Sequence, residues 1–225
     1  MQIKKLHNWN VSYSEAAALQ KQLASKVRFK PLEKSPKLIA GLDCALSKED
    51  GQKIIACAVV VKLPGLELIE TKTATQKVSF PYIPGLLSFR EAPVCIAAVE
   101  KLKSHPDLFL IDGQGIAHPR RLGLAAHLGL FFDKPTIGCA KSRLTGYFQD
   151  PPPEKGSHSE LKDKDEVIGA VVRTRTDVKP VFVSVGNKCT LNDAIKTTLA
   201  CTTKYRLPEP ARLAHQLVGK LRLKA

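Results

Sequence analysis

Apolar residues recur along the chain with two distinct periods, and the alternation between them predicts the order of elements. Residues 13–30 carry apolar positions at helical spacing, with Ser14 placed to cap the helix ahead of Glu15. Leu38–Leu46 is a short apolar run of the kind that forms a buried strand. Ser47-Lys48-Glu49-Asp50-Gly51 follows, and its Asp-Gly pair predicts a hairpin into a second strand over 54–61. Pro64-Gly65 turns the chain again and 66–73 alternates as a third strand, so the opening segment reads as an antiparallel meander.

The period then changes. Val94, Ala97, Ala98 and Leu102 mark a helix over 90–102, followed by a strand over 108–112, a helix over 122–132 and a strand over 135–140. A helix between two strands implies a parallel crossover. The expected fold is therefore α/β, with one mixed central sheet flanked by helices, its opening strands antiparallel and its later ones parallel. Residues 149–166 read as a loop by composition. Two strands (167–173, 180–185) and two helices (191–201, 210–223) remain, too small a set to be stable alone. Residues 1–225 are accordingly expected to form a single domain.

Composition narrows the function. The 225 residues carry 35 Lys+Arg against 21 Asp+Glu, a formal net charge of +14, with 44% hydrophobic residues. That is globular usage with an excess of positive charge, which suits an anionic partner. No apolar run approaches the roughly 20 residues of a membrane span. The first nine residues lack an apolar stretch behind their lysines, so a secretory signal is not expected. The six cysteines, at 44, 57, 95, 139, 189 and 201, form no C-x-x-C pair and read as small buried hydrophobes of a reducing, cytoplasmic compartment. Without an extended apolar face, a monomer is expected.

Two carboxylates stand out by their surroundings. Asp43 interrupts Leu38–Leu46, and Asp112 ends Leu108-Phe109-Leu110-Ile111. A carboxylate on a core strand is costly unless it is paired or holds a cation, whereas a strand-end Asp also serves to cap a turn. If the two strands are neighbours, both acids point to one place and suit a divalent cation. Glu91 opens the 90–102 helix, either as ordinary compensation of the helix dipole or as a third ligand. Gly113-Gln114-Gly115-Ile116-Ala117-His118 lacks the third glycine of a dinucleotide loop, and neither H-E-x-x-H nor G-x-S-x-G is present. Pro81-Tyr82-Ile83-Pro84 is a stiff projection that suits either an apolar wedge in a duplex or a rigid loop packed on the core. Basic residues cluster at Arg120-Arg121, Lys141-Ser142-Arg143 and Arg173-Thr174-Arg175, as phosphate contacts or as a solvated face.

Four stretches resemble the endonuclease V family in order, spacing and chain length: 41–46 (GLDCAL), 81–91 (PYIPGLLSFRE), 112–123 (DGQGIAHPRRLG) and 136–144 (TIGCAKSRL). The resemblance implies a ribonuclease H-like fold and a Mg²⁺-dependent nuclease, with Mn²⁺ as a substitute, acting on deaminated nucleic acid, chiefly deoxyinosine-containing DNA. It implies cleavage of the second phosphodiester 3′ to the lesion, leaving 3′-hydroxyl and 5′-phosphate ends. On this basis Asp43, Glu91 and Asp112 fall on the metal-binding acids, and Lys141 and His215 on further active-site positions. Pro81, Tyr82, Ile83 and Pro84 fall on a strand-separating wedge. Gly85, Leu87, Gly113, Gly123, Gly138 and Leu144 fall on a base pocket. Arg120, Arg121 and Arg143 are expected to contact phosphates. An inosine-specific ribonuclease of the same fold, and a non-catalytic basic nucleic-acid-binding protein, remain the competing readings.

Overall fold

The structure is a computed structural model describing residues 1–49 and 51–223. Its elements are α1 (Tyr13–Ala24), β1 (Leu38–Leu46), β2 (Lys53–Lys62), β3 (Glu67–Lys77), α2 (Leu87–Glu100), β4 (Leu108–Ile111) and α3 (Leu124–Phe132). They continue as β5 (Thr136–Ala140), β6 (His158–Asp163), β7 (Glu166–Val172), β8 (Val181–Asn187), α4 (Leu191–Ala200) and α5 (Glu209–Leu221). One eight-stranded sheet runs in the order β3-β2-β1-β4-β5-β8-β7-β6. The meander β1–β3 is antiparallel as expected. The hairpin signal at Asp50-Gly51 falls partly outside the described residues, since Asp50 is not among them.

Three expectations need correction. Only β1, β4 and β5 are mutually parallel; β8, β7 and β6 are antiparallel additions. The segment 149–166 holds β6, an edge strand whose polar faces are solvated, so its composition mimics a loop. Finally, α1 is capped by Ser12 rather than Ser14, in a reciprocal pair with Glu15, and ends at Ala24. Beyond it Val27 enters the core and the Arg28 N–H donates to Asn187 Oδ1 at 3.0 Å, tertiary bonds that draw the chain out of the helix.

The sheet is covered on both faces, which explains its near-continuous apolar strands. Ala40, Leu42, Phe109 and Ile111 pack with Val94, Cys95 and Ala98 of α2 and Leu128 and Phe132 of α3. The alternate residues Ile39, Leu108 and Leu110 pack with Ala194 of α4 and with Ala214 and Val218 of α5. Gly41 lets α5 sit directly on β1, because a Cβ there would lie 2.1 Å from the Pro210 carbonyl carbon. The six cysteines are free thiols, five of them buried.

Candidate active site

Strand register brings the two core acids together. β1 and β4 are parallel with Leu42 opposite Ile111, and the Asp112 N–H donates to the Leu42 carbonyl at 2.9 Å. Asp43 and Asp112 are the next residues on each strand, so both side chains emerge at the carboxyl ends on one face. That face is the one α5 covers, and α5 delivers His215. His215 Nδ1 lies 2.7 Å from Asp43 Oδ2 and 3.9 Å from Asp112 Oδ2. Each of the three residues offers one ligand atom, all within 4.8 Å of one another. Lys141, just past β5, closes the group: its ammonium pairs with Asp112 and lies 3.3 Å from His215 Nδ1.

The electrostatics fit a cation. Burial, then the neighbouring Asp112 charge, raises the Asp43 carboxyl to about 6, and Lys141 and His215 offset this only in part. Burial, followed by the charge of Asp43, raises Glu91 to about 8. Two carboxylates held together against their own repulsion, with an imidazole beside them, form an oxygen-rich donor set suited to a hard divalent cation.

Glu91 stands apart from the triad for a topological reason. It sits on α2, which covers the opposite face of the sheet, and it pairs with Cys44 rather than with the Asp43 side of β1. α2 begins at Leu87 and runs through Pro93, so Glu91 falls in its second turn and does not serve as a first-turn dipole acid. It nevertheless borders the same cavity, of about 390 Å³, as Asp112 and Lys141, with Tyr82, Gln114 and Leu144 also on its walls. That volume is within the roughly 300–1,000 Å³ usual for ligand sites.

Tyr82 projects from the rim and is 68% exposed, so its ring is not packed on the core, although Ile83 of the same loop rests against the Phe80–Phe89 cluster. The loop is held at its flanks, where Phe80 and Leu86 are buried with Ala16 and Phe89.

Comparison with known proteins follows the same residues. An endonuclease V family model matches residues 21–216. A relative named endonuclease V from Dehalococcoides mccartyi is 48% identical over 221 residues, covering 98% of this chain and 99% of its own. The chain belongs to the endonuclease V family. The Bacillus subtilis endonuclease V structure superposes with a TM-score of 0.94 at 34% identity, covering 99% of this chain and 97% of that one. The Ciona intestinalis endonuclease V structure, in complex with a 24mer DNA containing an inosine followed by a ribo-adenosine, superposes with a TM-score of 0.80 at 31% identity, covering 92% of this chain and 96% of its own. The fold is ribonuclease H-like, and the chain is a nuclease, as its family membership requires.

Within this endonuclease V frame the residues singled out from sequence separate into groups. Asp43, Asp112, His215 and Lys141 converge, while Ile83, Pro84, Gly85, Leu87, Gly113, Gly123 and Arg143 line the cavity with Glu91, Tyr82 and Leu144. Gly138 lies beneath the cavity: a Cβ there would approach Gly115 N to 2.4 Å and Gly113 O to 2.7 Å, so it seats the 113–115 turn on β5. Two of the three expected phosphate contacts are engaged inside the protein. The Arg120 guanidinium bonds to Gln20 and to the Gly85 carbonyl. Arg121 pairs with Asp163 at 2.9 Å and Glu166 at 2.7 Å, tying the β6–β7 turn to the 112–123 segment. Arg143 is exposed at the cavity.

Some structural contributors to the site escaped sequence reasoning. Arg206 donates from Nη2 to the carbonyls of Lys141 (2.6 Å) and Pro180 (2.7 Å), fixing the backbone that carries the lysine. Gln114 anchors the 141–144 loop through Nε2 to the Ser142 carbonyl at 2.9 Å. Gln20 lies on the buried stripe Ala16–Gln20–Leu23 of α1, and a polar residue at a core position was the signal available for it.

Proposed function

We propose that this chain is a single-domain, Mg²⁺-dependent endonuclease that recognises a deaminated purine, hypoxanthine, in DNA. It hydrolyses the second phosphodiester 3′ to that base, leaving 3′-hydroxyl and 5′-phosphate ends, in the service of DNA repair. The carrying observation is the juxtaposition of the Asp43–Asp112–His215 donor group with a cavity rimmed by exposed Tyr82. The inosine-containing DNA bound by the Ciona relative supports the choice of base.

Asp43 and Asp112 would hold the divalent cation, with His215 beside them and Glu91 bordering the site. Such a cation, when bound, lowers the pKa of water and neutralises charge on the phosphate in the transition state. Lys141 places a further positive charge against the same phosphate, its ammonium already seated on Asp112. The target base leaves the stack to enter the cavity, and Tyr82 fills the gap it leaves, held stiff by the two prolines. Leu87 and Leu144, both exposed at the cavity, offer apolar faces to a flat ring.

The test uses a labelled inosine duplex. Asp43→Asn and Asp112→Asn should each abolish nicking in Mg²⁺ while leaving binding largely intact. Full activity in either variant rejects the reading. Matched strands carrying inosine as deoxyribo- or ribonucleotide, cut by the same enzyme, decide between DNA and RNA as the preferred substrate.

A further inference from the structure

The wedge loop joins the body of the protein through one heavily used atom. Gly85 closes the Pro81–Pro84 segment with φ +78°, and its carbonyl oxygen receives three donors. These are Gln20 Nε2 at 2.9 Å, His118 Nε2 at 3.1 Å and Arg120 Nη2 at 2.7 Å. A carbonyl has two lone pairs, so this oxygen is saturated.

The donors are themselves fixed by their other bonds. His118 Nδ1 accepts the Arg120 backbone N–H at 3.1 Å, which leaves the ring proton on Nε2, facing Gly85. Burial, reinforced by the Arg120 charge, lowers His118 to about 4 and keeps it in that neutral form. Gln20 donates its second N–H to the Leu122 carbonyl at 3.1 Å and accepts Arg120 Nε on its Oε1. Arg120 Nη2 also fills the space at position 85, since a Cβ there would lie 2.7 Å from it. Gln20 is fully buried, and a buried amide with all these bonds made is an ordering device rather than a solvent contact.

The apolar anchors Phe80 and Leu86 resist extraction of the loop but are non-directional. Hydrogen bonds on Gly85 fix direction as well. We infer that Gln20, His118 and Arg120 form a clamp that sets the orientation of the Tyr82 wedge, and that Gln20 is a positioning residue coupling α1 to strand separation. This inference rests on the wedge reading proposed above. Its consequence is selective: a wedge is required where a partner strand must be parted and is dispensable where there is none.

The experiment compares wild type, Gln20→Met, Gln20→Glu and Tyr82→Ala on one inosine strand, presented single-stranded or as a duplex, with Mg²⁺ saturating. Gln20→Met keeps the volume and removes every bond. Gln20→Glu keeps the acceptor for Arg120 and loses the donors to Gly85 and Leu122. Each Gln20 variant should lose about tenfold more in kcat/KM on the duplex than on the single strand, the loss expected for about one net hydrogen bond. Equal loss on both substrates, or no loss on either, in the variants that fold as wild type by circular dichroism overturns the clamp. A duplex-specific loss in Tyr82→Ala without one in the Gln20 variants overturns the clamp alone. No duplex-specific loss in Tyr82→Ala overturns the wedge reading, and the clamp with it.

Discussion

A site built to hold a cation should weaken the protein that lacks one, and Asp43→Asn measures by how much. Raising the Asp43 carboxyl from 3.8 to about 6 corresponds to ~3 kcal/mol against its ionised form, at about 1.4 kcal/mol per tenfold change in proton affinity. Asp43 is only 9% exposed, so solvent screening does not erase that cost. The folded state holds this proton more tightly than the unfolded state, so the group's contribution to stability falls as pH rises from about 4 past about 6. In chelator at pH 7.5, Asp43→Asn should therefore gain ~3 kcal/mol, about 6–12 °C in Tm for a chain of this size. The gain should shrink to ~1 kcal/mol by pH 4.5. Urea titrations in EDTA at the two pH values read this directly, and added Mg²⁺ should stabilise wild type but not the variant. An Asn variant no more stable than wild type at pH 7.5 in chelator would refute the claim that burial and the Asp112 charge hold the ionised Asp43 carboxylate at a cost.

Two further outcomes follow from the packing. Gly41→Ala drives a methyl into the Pro210 carbonyl, only 2.1 Å away, so α5 must shift; a cost of about 1–3 kcal/mol and loss of nicking are expected, and wild-type Tm with wild-type kcat would contradict it. His127 is fully buried, bonded to Ser88 Oγ at 3.0 Å and His7 Nε2 at 2.8 Å, and burial lowers it to about 3. Because the unfolded chain binds that proton near pH 6.5, stability should fall by ~2 kcal/mol between pH 6.5 and pH 5. His127→Gln should flatten that slope in urea titrations, and an unchanged slope would count against a neutral buried imidazole.

Much of this site was legible because apolar strands expose their exceptions. Asp43 and Asp112 were the only acids inside Leu38–Leu46 and at the end of the 108–111 run, and their strands are neighbours in the sheet. The meander and the crossover helices were readable for the same reason: long apolar periods leave little ambiguity. Glu91 was harder, because its residue type and its place near a helix start fit two roles. Only the start of α2 at Leu87, with the helix running on through Pro93, shows that it faces the cavity from the second turn. The antiparallel far half of the sheet was hidden by β6, whose exposed edge permits a loop-like composition. Arg120 and Arg121 show a different limit. Nothing in a basic pair reveals whether its guanidiniums stand free or, as here, bond to a buried glutamine, a backbone carbonyl and two acids.

In the proposed mechanism Asp43 and Asp112, with His215 beside them, hold the cation that hydrolysis requires. Anomalous diffraction from crystals grown in Mn²⁺ tests it most directly. A metal peak touching carboxylate oxygens of both Asp43 and Asp112 is expected, and it should be lost in the Asp43→Asn, Asp112→Asn double variant. A Mn²⁺ peak elsewhere in the protein with none between these two acids, in crystals of enzyme that nicks inosine DNA, would contradict it.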